Sequence, residues 1–215
     1  MSAGSIYDKL RAAGMTHAGA CGTLGNLMAE SSMIANIAQR GMTTLTDAQY
    51  TAKFDATPEL CYRDGVGYGL AQWTFWSRKQ ELSKFAKKRG TSVGSESTQV
   101  EFILQELRSD FPELWDFLCT TDDLYAAADR VCREFERPAV NNVDRRYEFA
   151  VVFDKDFANS LGTPDSSGDN WRPPDQSILV LQAVLVANGY NTDITGHKNA
   201  DFLAKLRKFV TDIGG

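Results

Sequence analysis

Three glycines recur at every third position of an otherwise helical run, "HAGACGTLGNLMAESSM", which covers residues 17–33. They are Gly19, Gly22 and Gly25. Inside a helix, each glycine costs about 1 kcal/mol relative to alanine. A close contact with another helix would offset that cost, because glycine lets a neighbouring backbone approach. We therefore predict that this helix is buried in the core and that Glu30 lies at its C-terminal end.

The composition is that of a globular protein. The chain has 215 residues, of which 43% are hydrophobic and 24% are charged, so it can bury a substantial core. No apolar run approaches the length of a signal-peptide core or a membrane span, so we expect no signal peptide and no membrane insertion. The net charge of −5 argues against nucleic acid as a partner, because binding phosphates calls for a basic surface.

Apolar periodicity predicts helices nearly throughout residues 1–162, so the expected fold class is mainly α. A capping box that begins at Ser77 predicts the start of one helix, and Gly90 predicts its end. A second capping box begins at Thr98. Residues 42–68 are irregular enough to contain a short hairpin.

The composition changes after the predicted helical domain, residues 1–162. Residues 163–174 are rich in glycine, proline, serine and aspartate, which predicts a linker. Residues 175–215 contain two apolar-periodic segments around a polar loop. They predict a small helical module that is too short to be an independent enzyme.

Metal and cofactor chemistry has little support in the sequence. The four cysteines have no C-x-x-C spacing and the chain has only two histidines, so buried free thiols explain the cysteines better than a zinc site. We expect no cofactor and no metal. A cluster of basic residues in the range 78–89 predicts either a solvated helix face or a patch for a polyanion.

Glu30 is the candidate general acid. A carboxylate at a helix C-terminus meets the negative end of the helix dipole, and Leu27, Met28 and Met33 are its apolar neighbours in sequence. Both effects favour the protonated form, which a glycosidase needs in order to donate a proton to a leaving sugar oxygen. The alternative is a surface glutamate at a frayed helix end.

A second stretch, "DGVGYGLAQWTFWSRKQEL", combines glycines, aromatic residues and a glutamine within residues 64–82. Glycines permit the close approach of a ligand, and aromatic rings with an amide are suited to binding a sugar. This stretch therefore predicts one wall of a binding site. Tyr68, Trp73 and Trp76 either stack on sugar rings or pack in the core, and Trp76 is the first candidate of the three for the core.

The two stretches together carry a resemblance to known families. The pair "ES" at residues 30–31, followed by "GLAQ" at residues 69–72, resembles the paired motifs of soluble lytic transglycosylases and goose-type lysozymes, with Ala71 in place of a methionine. The longer match, which includes "FERPA", resembles the phage tail lysozyme family over about residues 5–160.

The resemblance implies a lysozyme-like domain that binds bacterial peptidoglycan in a cleft. It implies cleavage of the β-1,4 bond between N-acetylmuramic acid and N-acetylglucosamine, with Glu30 as the acid. The glutamate helix would form one side of the cleft, and the Gly-Leu-x-Gln segment would line the other. The substrate-binding residues that follow from the resemblance are Ser31, Tyr68, Gly69, Gln72 and Trp73.

A second carboxylate is harder to assign. Asp64 is the best candidate for positioning or activating water, ahead of Asp55 and Asp47. Alternatively, Asp64 is a turn residue that hydrogen-bonds its own backbone. By resemblance, lytic transglycosylases need only the glutamate, because the C6 hydroxyl of the substrate attacks and leaves a 1,6-anhydro product. Glu136 and Arg137 are expected to pair with each other or to cap a helix end, and the less favoured alternative is Glu136 as a second catalytic group.

The place of action and the role of the tail follow from the same reasoning. Without a signal peptide, the enzyme would accumulate in the host cytoplasm until a holin opens the membrane, or it would be built into a virion tail. Residues 175–215 partly resemble peptidoglycan-binding three-helix modules, so wall binding and plain packing are both open. A non-catalytic wall-binding or tail structural protein is the alternative to an enzyme.

Overall fold

The computed structural model describes residues 3–158 together with Leu185, Lys205 and Lys208. The helices of the described part are α1 (Ala3–Ala12), α2 (His17–Ser31), α3 (Asp47–Ala56), α4 (Glu59–Tyr62), α5 (Trp76–Lys88), α6 (Glu96–Ser109), α7 (Pro112–Leu118), α8 (Leu124–Arg130) and α9 (Val143–Ala158). A π-helical segment, Val131–Glu136, directly follows α8. The predicted mainly α fold is confirmed for these residues.

Helix α2 runs through the core, with α8 and α9 packed along it. A side chain at Gly22 would place its Cβ 2.6 Å from the Cβ of Ala127, and one at Gly25 would collide with the backbone oxygen of Arg146. Gly19 meets the backbone of Leu118 in the same way. The prediction of a buried, closely packed helix is confirmed, and each glycine marks a different neighbour.

Two predicted helix starts were wrong by a few residues. Helix α5 begins at Trp76 rather than after Ser77, and its cap residue, Phe75, makes no side-chain capping bond. The backbone oxygen of Phe75 already accepts the N–H of Lys79, which begins the helix earlier than the capping box would. Helix α6 is capped by Ser95, whose hydroxyl accepts the Thr98 N–H.

The end of α5 agrees with the prediction. Gly90 has a φ of +65°, a left-handed conformation that favours glycine, two residues after the helix ends at Lys88. The hairpin expected within residues 42–68 was wrong, since α3 and α4 occupy that range. At the end of this range, Tyr68 pairs with Ala38 and with Trp73 through single β-bridges, and these bridges shape the predicted wall.

The structure also bears on the predictions for the cysteines, the basic range, membrane insertion and the tail. All four cysteines are free thiols, three of them buried and Cys119 half-buried. The basic range 78–89 is not one solvated face, because Lys79 is buried and Arg78 is paired with Glu106. No helix among the described residues is long and apolar enough to cross a membrane. The predicted linker and tail module lie outside the described residues, apart from the three isolated positions.

Candidate active site

A cleft with a volume of about 1220 Å³ opens at the C-terminal end of α2. Its lining brings together Glu30 from α2, Gln72 from the predicted wall, Phe75 and Trp76 from the start of α5, and Glu136 from the π-helical segment. These residues are far apart in sequence. The fold therefore assembles one concave site from the two stretches that the sequence singled out.

Glu30 is held by an arginine from another helix. The guanidinium Nη2 of Arg146, on α9, donates to Glu30 Oε1 at 2.5 Å, and Nη1 donates to Asn26 Oδ1 at 3.0 Å. The Glu30 side chain is 18% exposed, whereas that of Arg146 is 7% exposed. The sequence neighbours of Glu30 and the helix dipole gave no sign of this arginine. The structure adds a buried positive charge that fixes the carboxylate at the cleft.

Ser31 turns away from the cleft. Its hydroxyl donates to the backbone oxygen of Leu27 at 3.0 Å, and the residue is 2% exposed. The two residues that follow, Ser32 and Met33, have φ values of +52° and +63°. This reversal ends α2 immediately after Glu30, so Ser31 supports the helix end rather than presenting a free hydroxyl.

The wall formed by Gly69 and Gln72 depends on a buried amide that sequence reasoning missed. Gln99, on α6, donates to the backbone oxygens of Ala35 and Val93 and accepts the N–H of Leu70. A side chain at Gly69, whose φ is +78°, would lie 2.6 Å from Gln99 Oε1. Glycine is therefore required at this position by both the backbone conformation and the space.

Gln72 lies at the tip of this wall and lines the cleft. Its φ of +43° is unusual for a residue with a side chain, and such strained positions are found most often at functional sites. The side-chain Nε2 donates to the backbone oxygen of Gly69 at 3.0 Å. The amide is thus held in one orientation at the edge of the cleft.

The aromatic residues are distributed differently from the prediction. Tyr68 is 0% exposed with its hydroxyl bonded to Thr51, and Trp73 is 1% exposed with its indole N–H donated to Glu106. Trp73 is among the residues that line the cleft, whereas Tyr68 is not, and with so little exposure neither ring has a free face for a sugar. The prediction that Trp76 is a core residue was wrong: it is 40% exposed, and Phe75 beside it is 63% exposed. Both residues open α5 at the cleft rim, where the turn after the wall directs them outward.

Asp64 lies in a polar cluster under the wall. Its carboxylate accepts hydrogen bonds from the Lys79 ammonium at 2.8 Å, the Tyr50 hydroxyl at 2.8 Å and the Val66 N–H at 3.0 Å. Burial alone would raise the pKa of Asp64, but these donors lower it below its ordinary value. The bond to Val66, two residues on, is the one expected of the turn alternative.

The other two aspartates that were considered are also engaged. Asp55 accepts from the Ser92 hydroxyl and the Val93 N–H, and Asp47 accepts from Ala38 N–H and pairs with Arg40. Neither lines the cleft, and neither does Asp64. Among the described residues that line it, the acidic ones are Glu30 and Glu136.

Comparison with known protein families matches residues 2–157 to the phage tail lysozyme family. The chain belongs to the phage tail lysozyme family. The matched residues include both walls of the cleft and the whole π-helical segment. Membership implies peptidoglycan as the substrate and a glycosidase-type activity. A comparison with curated proteins found no match.

In this member of the phage tail lysozyme family, Glu136 lies in the lining of the cleft. Its Oε1 is buried and accepts no hydrogen bond from a described residue. Burial raises the pKa of Glu136 well above its ordinary value, and the charge of Glu30 raises it further, against the opposing charges of Arg78 and Arg146. Glu136 does not pair with Arg137, whose Nε instead donates to the backbone oxygen of Glu134.

A buried ion pair joins the wall to the π-helical segment. Arg78 donates to both carboxylate oxygens of Glu106 and, through Nη1, to the backbone oxygen of Phe135 at 3.1 Å. Glu106 also accepts the Trp73 indole N–H at 2.9 Å. A charged residue at position 106, within an apolar helix face, could have indicated a buried ion pair. The partners of Glu106 are distant in sequence, so the pattern could not identify them.

Proposed function

We propose that this protein cleaves the β-1,4 bond between N-acetylmuramic acid and N-acetylglucosamine of peptidoglycan, with Glu30 as the general acid. The observation that carries the proposal is the position of Glu30 in the lining of a large cleft, which Ala71 and Gln72 of the wall also line. A carboxyl group in such a cleft can protonate the leaving sugar oxygen, a step that contributes about 10² to 10⁴ in rate. Family membership supports the substrate.

Arg146 has a role of its own once the proton has left Glu30. The guanidinium lies within hydrogen-bond distance of Glu30 and would stabilise the carboxylate that forms when the glycosidic oxygen takes the proton. Asn26 holds the second arm of the guanidinium, and its own Nδ2 donates to the backbone oxygens of Gly22 and Ala128. The arginine therefore does not need to reorganise during the reaction.

The substrate would lie across the wall and the exposed rim. We propose that Gln72 and the wall backbone beside it contact the N-acetyl sugars, while Phe75 and Trp76 provide the stacking faces. Gly69 is buried and does not line the cleft, so its role would be to shape the wall. We expect the buried side chains to support the site rather than to contact the sugar. They are those of Ser31, Tyr68 and Trp73. Stacking at Phe75 is favoured by its exposure of 63%.

A lytic transglycosylase is the second candidate, and one observation favours it. Asp64, Asp55 and Asp47 all have their carboxylates engaged in hydrogen bonds away from the cleft lining. An enzyme without a base for water can let the C6 hydroxyl of the substrate attack instead. The products would then end in 1,6-anhydro-muramic acid rather than in a reducing sugar.

The test is a turbidity assay on purified cell walls, with mass spectrometry of the released fragments. We expect the wild type to clear the suspension and the Glu30→Gln variant to lose at least about 10²-fold in rate while staying folded. Glu81→Gln is the control, since Glu81 is an exposed partner of Lys84 outside the cleft. Comparable clearing by Glu30→Gln would reject Glu30 as the acid, and no clearing by the wild type would favour a non-catalytic wall-binding protein.

We also propose that the protein reaches peptidoglycan from within a phage-infected cell, through a holin, or as a virion tail part. Purified virions distinguish these routes. The protein should be detected by mass spectrometry in washed particles if it is a tail part, and only in the infected-cell lysate if a holin releases it.

A further inference from the structure

The carboxyl group of Glu136 lies outside the proton transfer proposed for Glu30. Part of the residue faces the cleft, while Oε1 is buried and accepts no hydrogen bond from any described residue. Native proteins leave few buried polar atoms without a partner, and such an atom calls for an explanation. A carboxyl group of this kind beside a candidate catalytic acid is a candidate for function.

The local backbone holds Glu136 in this place. It is the last residue of the π-helical segment, and Arg137, which follows it, has a φ of +51°. The N–H of Arg137 donates to the Cys132 oxygen, which closes the π-helical turn. π-Helical turns and left-handed residues with side chains are both concentrated at functional sites. On the other side, the Arg78 guanidinium lies 4.5 Å above the Phe135 ring and fixes the preceding residue.

The charges around Glu136 are already matched without it. The charged groups that act on it are Glu30 on α2, Arg78 on α5, Glu106 on α6 and Arg146 on α9. Arg146 pairs with Glu30, and Arg78 pairs with Glu106 through two hydrogen bonds. A negative Glu136 would therefore add a charge that has no counter-ion of its own. A neutral Glu136, carrying a proton, leaves the cluster balanced.

We propose that Glu136 is the second carboxyl group of the reaction and acts through Glu30, as the store of the proton that Glu30 delivers to the glycosidic oxygen. This inference rests on the proposed function of Glu30. It assigns Glu136 a role in supplying the acid, without direct contact with the substrate.

The proton balance of the cycle is simple. A proton leaves the Glu136 carboxyl group and reaches the Glu30 carboxylate through a water molecule in the cleft that both residues line, so the pair keeps one proton and one negative charge. Glu30 then gives this proton to the glycosidic oxygen, and the electron pair of the breaking C1–O bond goes to that oxygen. Both carboxylates are now negative beside the positive charge at C1, which they stabilise. The attacking hydroxyl returns its proton to Glu30, and the pair is restored.

The first test compares pH profiles of cleavage for the wild type, Glu136→Gln and the control Glu134→Gln. Glu134 is a neighbour on the same segment whose carboxylate is paired with Arg130. Activity requires one proton on the pair, and each carboxylate makes it harder for the other to lose its proton. Removing Glu136 should therefore move the alkaline limb of the profile to lower pH by at least about one unit, the size of shift expected for close like charges.

The profile separates this role from a structural one. A structural Glu136 would lower the rate equally at all pH values and leave the alkaline limb where it is, and that result would overturn the inference. The Glu134→Gln profile should coincide with that of the wild type. A shift of the same size in Glu134→Gln would also overturn it, because the effect would then be a general effect of lost negative charge.

The second test does not depend on activity or on the stability of the Glu136 variant. Carbon-13 NMR of labelled glutamate carboxyl groups in the full-length wild type should show one group titrating well above the ordinary glutamate range. In Glu30→Gln this titration should move to lower pH, because the neighbouring charge is gone. An ordinary titration for every glutamate would overturn the inference even if the enzyme is active. A coupled titration in an inactive protein would instead reject the proposed function.

Discussion

The substitution Asp64→Asn separates the two roles considered for this residue. Lys79, its partner, is 0% exposed, and its ammonium donates to Asp64, the Tyr50 hydroxyl and the Val66 backbone oxygen at 2.8 to 2.9 Å. Asparagine keeps the shape but removes the only negative charge in this contact set. Burial lowers the pKa of Lys79, and the charge of Asp64 opposes that effect.

The expected magnitude follows from this geometry. Removing one partner of a fully buried ion pair costs about 3 to 5 kcal/mol, because the other charge remains buried without compensation; here the Asp64 side chain is 19% exposed, so this range is an upper bound. For a protein of this size, that corresponds to a fall of roughly 6 to 20 °C in the unfolding midpoint. We expect Asp64→Asn to lose stability on this scale and to keep most of its specific activity in the fraction that remains folded.

The assay combines urea unfolding with wall-clearing rates measured well below the unfolding transition. Asp64→Asn together with Lys79→Met should recover much of the lost stability, since a buried pair can be replaced by apolar groups at little cost. The exposed pair of Lys84 and Glu81 supplies the control, and Glu81→Gln should change stability by less than about 1 kcal/mol. A stable but inactive Asp64→Asn would refute this reasoning and return Asp64 to a catalytic role.

The same contact predicts a dependence of stability on pH. The folded-state pKa of Asp64 lies below its ordinary value, so its contribution to stability is present above the unfolded-state pKa and is lost as the pH falls through the folded-state pKa. Thermal midpoints of the wild type should therefore decrease on acidification below the ordinary aspartate range. Asp64→Asn should show a smaller decrease, and an equal decrease would show that other groups are responsible.

Three further predictions concern packing, binding and the tail. Gly22→Ala should destabilise the fold by about 1 to 3 kcal/mol in urea unfolding, because the new Cβ would lie 2.6 Å from that of Ala127; an unchanged midpoint would contradict the close packing. Phe75→Ala should raise KM for soluble glycan chains without lowering thermal stability, whereas an unchanged KM would exclude stacking. The truncated chain 1–163 should cleave soluble chains at nearly the full rate but bind cell walls more weakly, and equal impairment on both substrates would indicate packing of the tail.

The parts of the structure that the sequence predicted correctly depend on local or repetitive patterns. The glycines at 19, 22 and 25 indicated a buried helix because their cost can be offset only by close packing, and the structure shows a backbone or Cβ contact at each. The end of α5 at Gly90 is likewise a local backbone property. The resemblance identified the two stretches, and the fold brings both to one cleft.

The capping boxes show the limit of local reasoning. Ser77 has the residue type of a helix cap, but the chain enters α5 from a wall whose bridges end at Trp73, so the helix starts before Ser77. The aromatic residues show this limit of local reasoning more clearly. Trp73 and Trp76 are three positions apart with the same chemistry, and only the direction in which the chain leaves the wall buries one and exposes the other.

The sequence by itself determined the helical class, the buried helix that carries Glu30, and the segment from Gly69 to Gln72. These features depend on residue type and spacing along the chain. The tertiary structure alone decided which charges meet. Arg146 reaches Glu30 across 116 positions, Lys79 pairs with Asp64, and the buried Oε1 of Glu136 has no hydrogen-bond partner among the described residues. Electrostatic interactions act through space and grow as water is excluded, so the protonation of each carboxyl group depends on burial and neighbours that only the fold defines.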